Sequence, residues 1–227
     1  MSIVNTLTLE SNRQIKINFD GGDLSSDAGL LLIKEFAAKI GFTKLIKKKF
    51  KTNDEAVRFH KDAENLLQMI YQVISAYFQD DCADELTLDP VFLAVLGKES
   101  LGSQPTLSRF FNRMDEDTLI QFDDIDKNLR DIIYSIKRPE HVLFDLDSTL
   151  FGTYGRQEGE GFNFHYQAHG YHPLLCYDGL TGDLLKAELR NGTLHCSNGA
   201  DKFMESIFQE YLERGLKTYL RGDSGFS

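Results

Sequence analysis

No run of apolar residues in this chain approaches the roughly 18 that a membrane-spanning helix needs. The stretch from Met1 to Asn18 alternates in character and holds no apolar core of the kind a secretory signal carries. Only three cysteines are present, Cys82, Cys176 and Cys196, far apart and without a C-x-x-C pair. That pattern excludes a disulfide framework or a zinc ribbon and predicts free thiols in a reducing compartment, chiefly as small buried hydrophobes. There is no internal repeat and no low-complexity tract, which excludes a solenoid and a disordered linker protein. Basic charge is also short: 25 Lys and Arg stand against 35 Asp and Glu, a net charge of -10. Overall charge therefore argues against nucleic-acid binding. The charge is uneven, however. From Lys34 to Lys61 nine basic residues face three acids, with Lys44, Lys47, Lys48, Lys49 and Lys51 close together. Such a patch can hold phosphates on an acidic protein, and equally it can be a solvated helix end.

What is present is an ordinary 41% hydrophobic content, enough for a real core in 227 residues. Residues 1–137 read as mainly helical. A strand or hairpin is expected over Leu7–Phe19, then a helix starting near Ser25–Ser26–Asp27 and stopped by Gly41. Asn53 is expected to cap a second helix opening with Asp54 and Glu55. Apolar stripes predict further helices over Ala63–Phe78, Thr106–Asn112 and Asp117–Ile136. The character changes at Arg138–Pro139, where a proline ends the helix. Residues 138–227 then predict a buried strand at Val142–Leu146, a second over Phe164–Tyr177, and a turn at Asp178–Asp183. A third strand at Leu184–Leu189, a helix ended by Gly215, and a fourth strand at Thr218–Arg221 follow. Strand, strand, strand, helix, strand is the opening of a ribonuclease-H-like fold, so the expected class is α+β or α/β.

Asp145 and Asp147 are two apart on a predicted strand, so both project from one face. Two neighbouring carboxylates repel unless a cation sits between them, and magnesium is a hard ion that takes such oxygen ligands together with substrate phosphate. Asp223 ends the fourth strand, which neighbours the first in this topology. Two ions about 3.5–4 Å apart would there activate water and stabilise a leaving oxygen at a phosphodiester. Phe144–Leu150 also imitates the D-x-D-x-T loop of haloacid-dehalogenase phosphatases, with Asp145 as nucleophile and Asp147 as acid–base. His165, His169 and His172 suggest zinc, but spacings of four and three place them on mixed strand faces and favour sheet histidines. Arg156, Lys186 and Arg190 can either contact DNA phosphates or be solvated charge.

Several segments resemble DDE transposases of the insertion-sequence-1380 type. They are Asp145–Leu150, Tyr154–Gly159, Gly170–Leu174, Leu189–Gly192 and Arg221–Phe226, with Ser25–Gly29, Asp89–Pro90 and Ser103–Phe110 before them. The resemblance covers nearly the whole chain. It implies Asp147 as first and Asp223 as second catalytic aspartate, with Asp145 as a supporting metal neighbour. It implies two Mg2+ or Mn2+ ions, DNA as partner through transposon ends and target, contacts from Arg109, Arg156, Arg190 and the lysine patch, and a homodimer on DNA. A cytoplasmic, nucleoid-associated location without membrane follows. Phe111 departs from the family, which has an acid there. No acid follows Asp223, so the family's third residue, a glutamate, has no counterpart; the expectation is a catalytic domain cut before completion, or a DNA-binding remnant.

Overall fold

In the computed structural model, residues 6–21 and 25–226 are described. The chain divides into two compact units, Met1–Ile132 and Ile133–Ser227.

The first unit opens with a hairpin, β1 (Thr6–Thr8) against β2 (Lys16–Asn18), in antiparallel register with Leu7 opposite Ile17. Helix α1 (Leu30–Lys39) ends two residues before Gly41, whose φ of 75° turns the chain into α2 (Phe42–Lys49). The helix expected from Asn53 is not there. Asp54 Oδ1 instead accepts the Ala56 N–H at 2.9 Å, closing a turn that competes with helical bonding. Thr52 meanwhile donates its N–H and hydroxyl to Asp62 Oδ2. The next helix, α3 (Asp62–Ile74), begins there, with Glu64 reaching back to the Lys61 N–H at 3.1 Å. It stops short of Phe78 because Ala76 takes a left-handed φ of 65°. Two short helices escaped the sequence reading, α4 (Cys82–Leu86) and α5 (Pro90–Leu96). Asp89 caps the second, its Oδ1 accepting from Val91 and Phe92 N–H groups at 2.9 Å, with Pro90 at the first helical position. Helix α6 (Gln104–Phe111) and the long α7 (Glu116–Ile136) follow, the last turn of α7 falling in the second unit. Leu30, Tyr71 and Phe92 centre one apolar cluster; Ile46, Leu66, Phe110 and Ile125 centre another.

The second unit is built on β3 (His141–Ser148). Val142, Phe144 and Leu146 are buried to 5% exposure or less, whereas Asp145 and Asp147 point to the other face, as the alternation of a strand requires. A small sheet comes next: β4 (Phe151–Gly152), β5 (Gly161–Asn163) and β6 (Ala168–Tyr171), in the order β4-β6-β5. Then come β7 (Leu174–Asp178), β8 (Leu184–Glu188), helix α8 (Ala200–Glu213) and β9 (Lys217–Gly222). The main sheet has the order β8-β7-β3-β9, with β3 parallel to β9 and the other pairs antiparallel.

The single strand expected over Phe164–Tyr177 is two, in different sheets. Pro173 has no N–H to give a ladder, and the His172 N–H goes to the Arg190 carbonyl at 3.0 Å, so pairing breaks between β6 and β7. Phe203, Met204, Ile207 and Tyr211 of α8 pack on the buried face of the main sheet, with Phe144 and Tyr211 edge to face at 5.1 Å between centroids. Among the described residues no helix is long and apolar enough to cross a membrane.

Candidate active site

The parallel β3–β9 register runs from His141 opposite Lys217 to Leu146 opposite Gly222. The next residue on each chain is an acid, Asp147 and Asp223. Side-by-side strands thus bring these two carboxylates to the same end of the sheet. Asp147 Oδ1 accepts the Ser148 N–H at 2.7 Å, and Asp223 Oδ1 accepts the Gly225 N–H at 2.8 Å. Each carboxylate keeps its second oxygen outside that bond. Two exposed carboxylates, neither of them ion-paired among the described residues, suit a hard divalent ion. They supply only part of a coordination shell: among the described residues no three His, Cys, Asp or Glu side chains are grouped to hold a metal by themselves.

Asp145 stands apart from this pair. Arg221, its registered partner on β9, grips it through both guanidinium arms, with Nε to Oδ1 at 3.0 Å. The cation that relieves repulsion beside Asp147 is therefore a side chain. The Arg221 hydrogen bonds, with its charge adding, hold the Asp145 carboxyl below the usual range, and Asp145 in turn raises Arg221. The sign follows from linkage. A carboxyl depressed in the folded state contributes stability above its unfolded pKa, about 3.9, and loses it as pH falls through the lower folded value. Asp145→Asn should accordingly flatten the acid limb of the stability profile below about pH 4, measured by urea midpoint against pH. An unchanged limb would mean the pair is not made in solution.

The basic residues sort less uniformly than their types suggest. Lys44, Lys47, Lys48 and Lys51 are exposed on or just after α2, while Lys49 bonds Asp124 at 2.6 Å. Arg109 on α6 and Arg156 after β4 are exposed. Arg190 requires correction. It is 6% exposed, and its guanidinium donates to the carbonyls of His172, Cys196 and Asn198 at 3.0, 3.4 and 2.5 Å. Buried in this way, with its pKa lowered by desolvation, it holds the backbone of residues 190–198 and does not reach a phosphate. Lys186 is likewise committed, donating to Phe203 O and Ser206 Oγ on α8.

The three histidines do not converge on one point: His169 Nδ1 meets Glu160 at 2.9 Å, His172 Nδ1 meets the Leu194 carbonyl at 2.7 Å, and His165 is exposed. All three cysteines are free thiols. Burial, with Asp145 and Asp178 adding, pushes the Cys176 thiol up to about 12, so it behaves as an apolar side chain.

Paired acids at the ends of adjacent parallel strands are an arrangement that metal-dependent phosphodiester chemistry uses. The family model described as Transposase DDE domain group 1 matches residues 7–227. The chain belongs to the DDE-domain transposase family. This leaves no room for the phosphatase alternative, whose nucleophile, Asp145, is in any case bound to Arg221. No curated protein matches the chain. Among solved structures, a cryo-EM structure of the piggyBac transposase synaptic complex with hairpin DNA is similar at 14% identity and a TM-score of 0.36, over 81% of this chain. The matched region is 46% of that protein's chain, so this sequence spans less than half of its length.

Proposed function

We propose that this chain carries the first two acids of a DDE transposase of the insertion-sequence-1380 type, on a ribonuclease-H-like sheet, and serves metal-dependent cleavage and strand transfer at transposon ends. The observation that carries the reading is the parallel register that runs to Leu146 opposite Gly222, one residue short of Asp147 and Asp223. In this reading those two carboxylates hold Mg2+ or Mn2+, two ions in the full site, with further oxygens from a third acid and from substrate. Ions bound there supply Lewis acidity at the scissile phosphate and lower the pKa of attacking water. Asp147 and Asp223 fix the metal-binding oxygens on rigid strand ends. Arg221 keeps Asp145 ionised but occupied, so the first strand offers one free carboxylate rather than two. The DNA partner is met by Lys44, Lys47, Lys48, Lys51, Arg109 and Arg156, and the working assembly is a homodimer on DNA.

Titration of this chain with Mn2+, followed by water-proton relaxation, tests the assignment. Asp147→Asn and Asp223→Asn should each weaken binding at least tenfold, while Asp145→Asn changes it severalfold at most. Equal Mn2+ affinity in the wild type and in Asp147→Asn would overturn it.

A further inference from the structure

Within the first unit, residues of α1, α2, α3 and the end of α5 line a cavity of about 290 Å³. That is the lower end of the roughly 300–1,000 Å³ usual for ligand pockets, which suits a small molecule. Leu67, Val95 and Leu96 make its lining apolar, and Lys34, Lys44 and Lys47 stand around it. Gly41 lies on it too, and a Cβ built there would meet nothing within 4 Å, so the space is open at the joint of α1 and α2.

The fold leaves two polar groups of this cavity unmatched. Tyr71 on α3 lines it and is 3% exposed, yet its hydroxyl has no hydrogen-bond partner among the described residues. Burial alone pushes the Tyr71 pKa up. A buried hydroxyl without a partner costs free energy that a phenylalanine would avoid, so the oxygen has no use in packing. Lys34 on α1 is half-buried and donates one N–H to the Ala94 carbonyl. Two of its three N–H groups remain. Burial lowers its pKa, with Glu35 opposing, so the ammonium is partly withdrawn from water and no carboxylate is bound to it among the described residues. Glu64, the acid among the lining residues, is already matched: its Oε2 accepts from Lys98 Nζ at 2.5 Å and from the Lys61 N–H at 3.1 Å. The space is therefore apolar in its lining and positive in its uncompensated charge.

We propose that this cavity binds a small organic carboxylate with an aliphatic body. The carboxylate takes the Lys34 ammonium and the Tyr71 hydroxyl as donors, and Lys44 and Lys47 add attraction. The aliphatic part covers Leu67, Val95 and Leu96. A bare phosphate would leave that lining uncovered, and a neutral molecule would leave Lys34 without a counter-charge. The site stands whether or not Asp147 and Asp223 hold metal.

Isothermal titration calorimetry of the full chain with octanoate, 1-octanol and inorganic phosphate tests it. Octanoate should bind saturably, about tenfold tighter than octanol, the order of one hydrogen bond to a charged group. It should also bind tighter than phosphate. Tyr71→Phe should weaken octanoate about tenfold while the thermal midpoint holds or rises, because the hydroxyl has no partner to lose. Lys34→Met should remove the preference for octanoate over octanol. Ala38→Phe, at an exposed position of α1 that lines the cavity, should block octanoate and leave the protein folded. Absence of saturable octanoate binding, equal affinity for octanoate and octanol, or undiminished octanoate affinity in both Tyr71→Phe and Ala38→Phe overturns the site. A fall in the thermal midpoint of Tyr71→Phe would show a hydroxyl already bonded within the protein and would overturn it as well. Phosphate binding as tight as octanoate would overturn it in favour of a phosphate-holding lysine patch.

Discussion

Gly192→Ala should destabilise the second unit by roughly 4 kcal/mol or more, at the extreme of single substitutions. A Cβ at Gly192 would overlap the carbonyl oxygens of both Gly170 and Gly161, backbone atoms that cannot rotate away. Gly170 meets the Phe151 carbonyl in the same manner, and a Cβ on Gly161 would lie 2.6 Å from Thr193 Cγ2. Three glycines thus let β4, β5, β6 and the 190–194 segment approach at backbone distance. Urea unfolding of the purified variant is the measurement. Gly199→Ala is the contrast: its Cβ meets nothing within 4 Å, and only the left-handed φ of 74° is strained. It should cost about 1–2 kcal/mol. Similar midpoints for the two variants would mean that the close approach is absent in solution.

Arg190→Met should lose about 3 kcal/mol of stability and leave DNA affinity unchanged at temperatures where it stays folded. The change strands three buried carbonyl acceptors, each bond to a charged donor being worth about 1.5–3 kcal/mol gross of the apolar burial that methionine restores. Arg190→Lys should not rescue it, because one ammonium cannot span three carbonyls met by a planar fork. Arg156→Ala should behave in the opposite way, neutral for stability and weakening DNA binding with a shallower salt dependence. If Arg190→Met weakened DNA binding without destabilising the protein, its buried position would be wrong.

These two sites also show where reading a sequence succeeds. Alternation through Val142, Phe144 and Leu146 puts Asp145 and Asp147 together on the other face of the strand, since a two-residue period leaves no other choice. The apolar stripe located α7 to within one residue, and Gly215 marked the end of α8. What periodicity does not report is where a polar group finds its partner. Arg190 and Arg156 look alike in the chain, and only the fold shows that one is enclosed by carbonyls. Asn53–Asp54–Glu55 has the composition of a helix start, but Asp54 satisfies a nearby N–H and Asp62 captures Thr52, so the local alternative wins. The split of the aromatic stretch before Tyr177 was signalled by Pro173. The Asp145–Arg221 pair, 76 residues apart, went unread because strand order makes β3 and β9 neighbours without fixing the register that sets Arg221 opposite Asp145.

That separation bears on biosynthesis. At the usual 5–20 residues per second, β3 waits about 4–15 s for β9 to leave the ribosome. Until then, one margin of the central strand is an unpaired ladder, open to any extended segment nearby. The carboxylates of Asp145 and Asp147 break the apolar character of that margin and act as gatekeepers against adventitious pairing. The same charges, one of which later meets Arg221, thus protect the nascent chain before that partner exists.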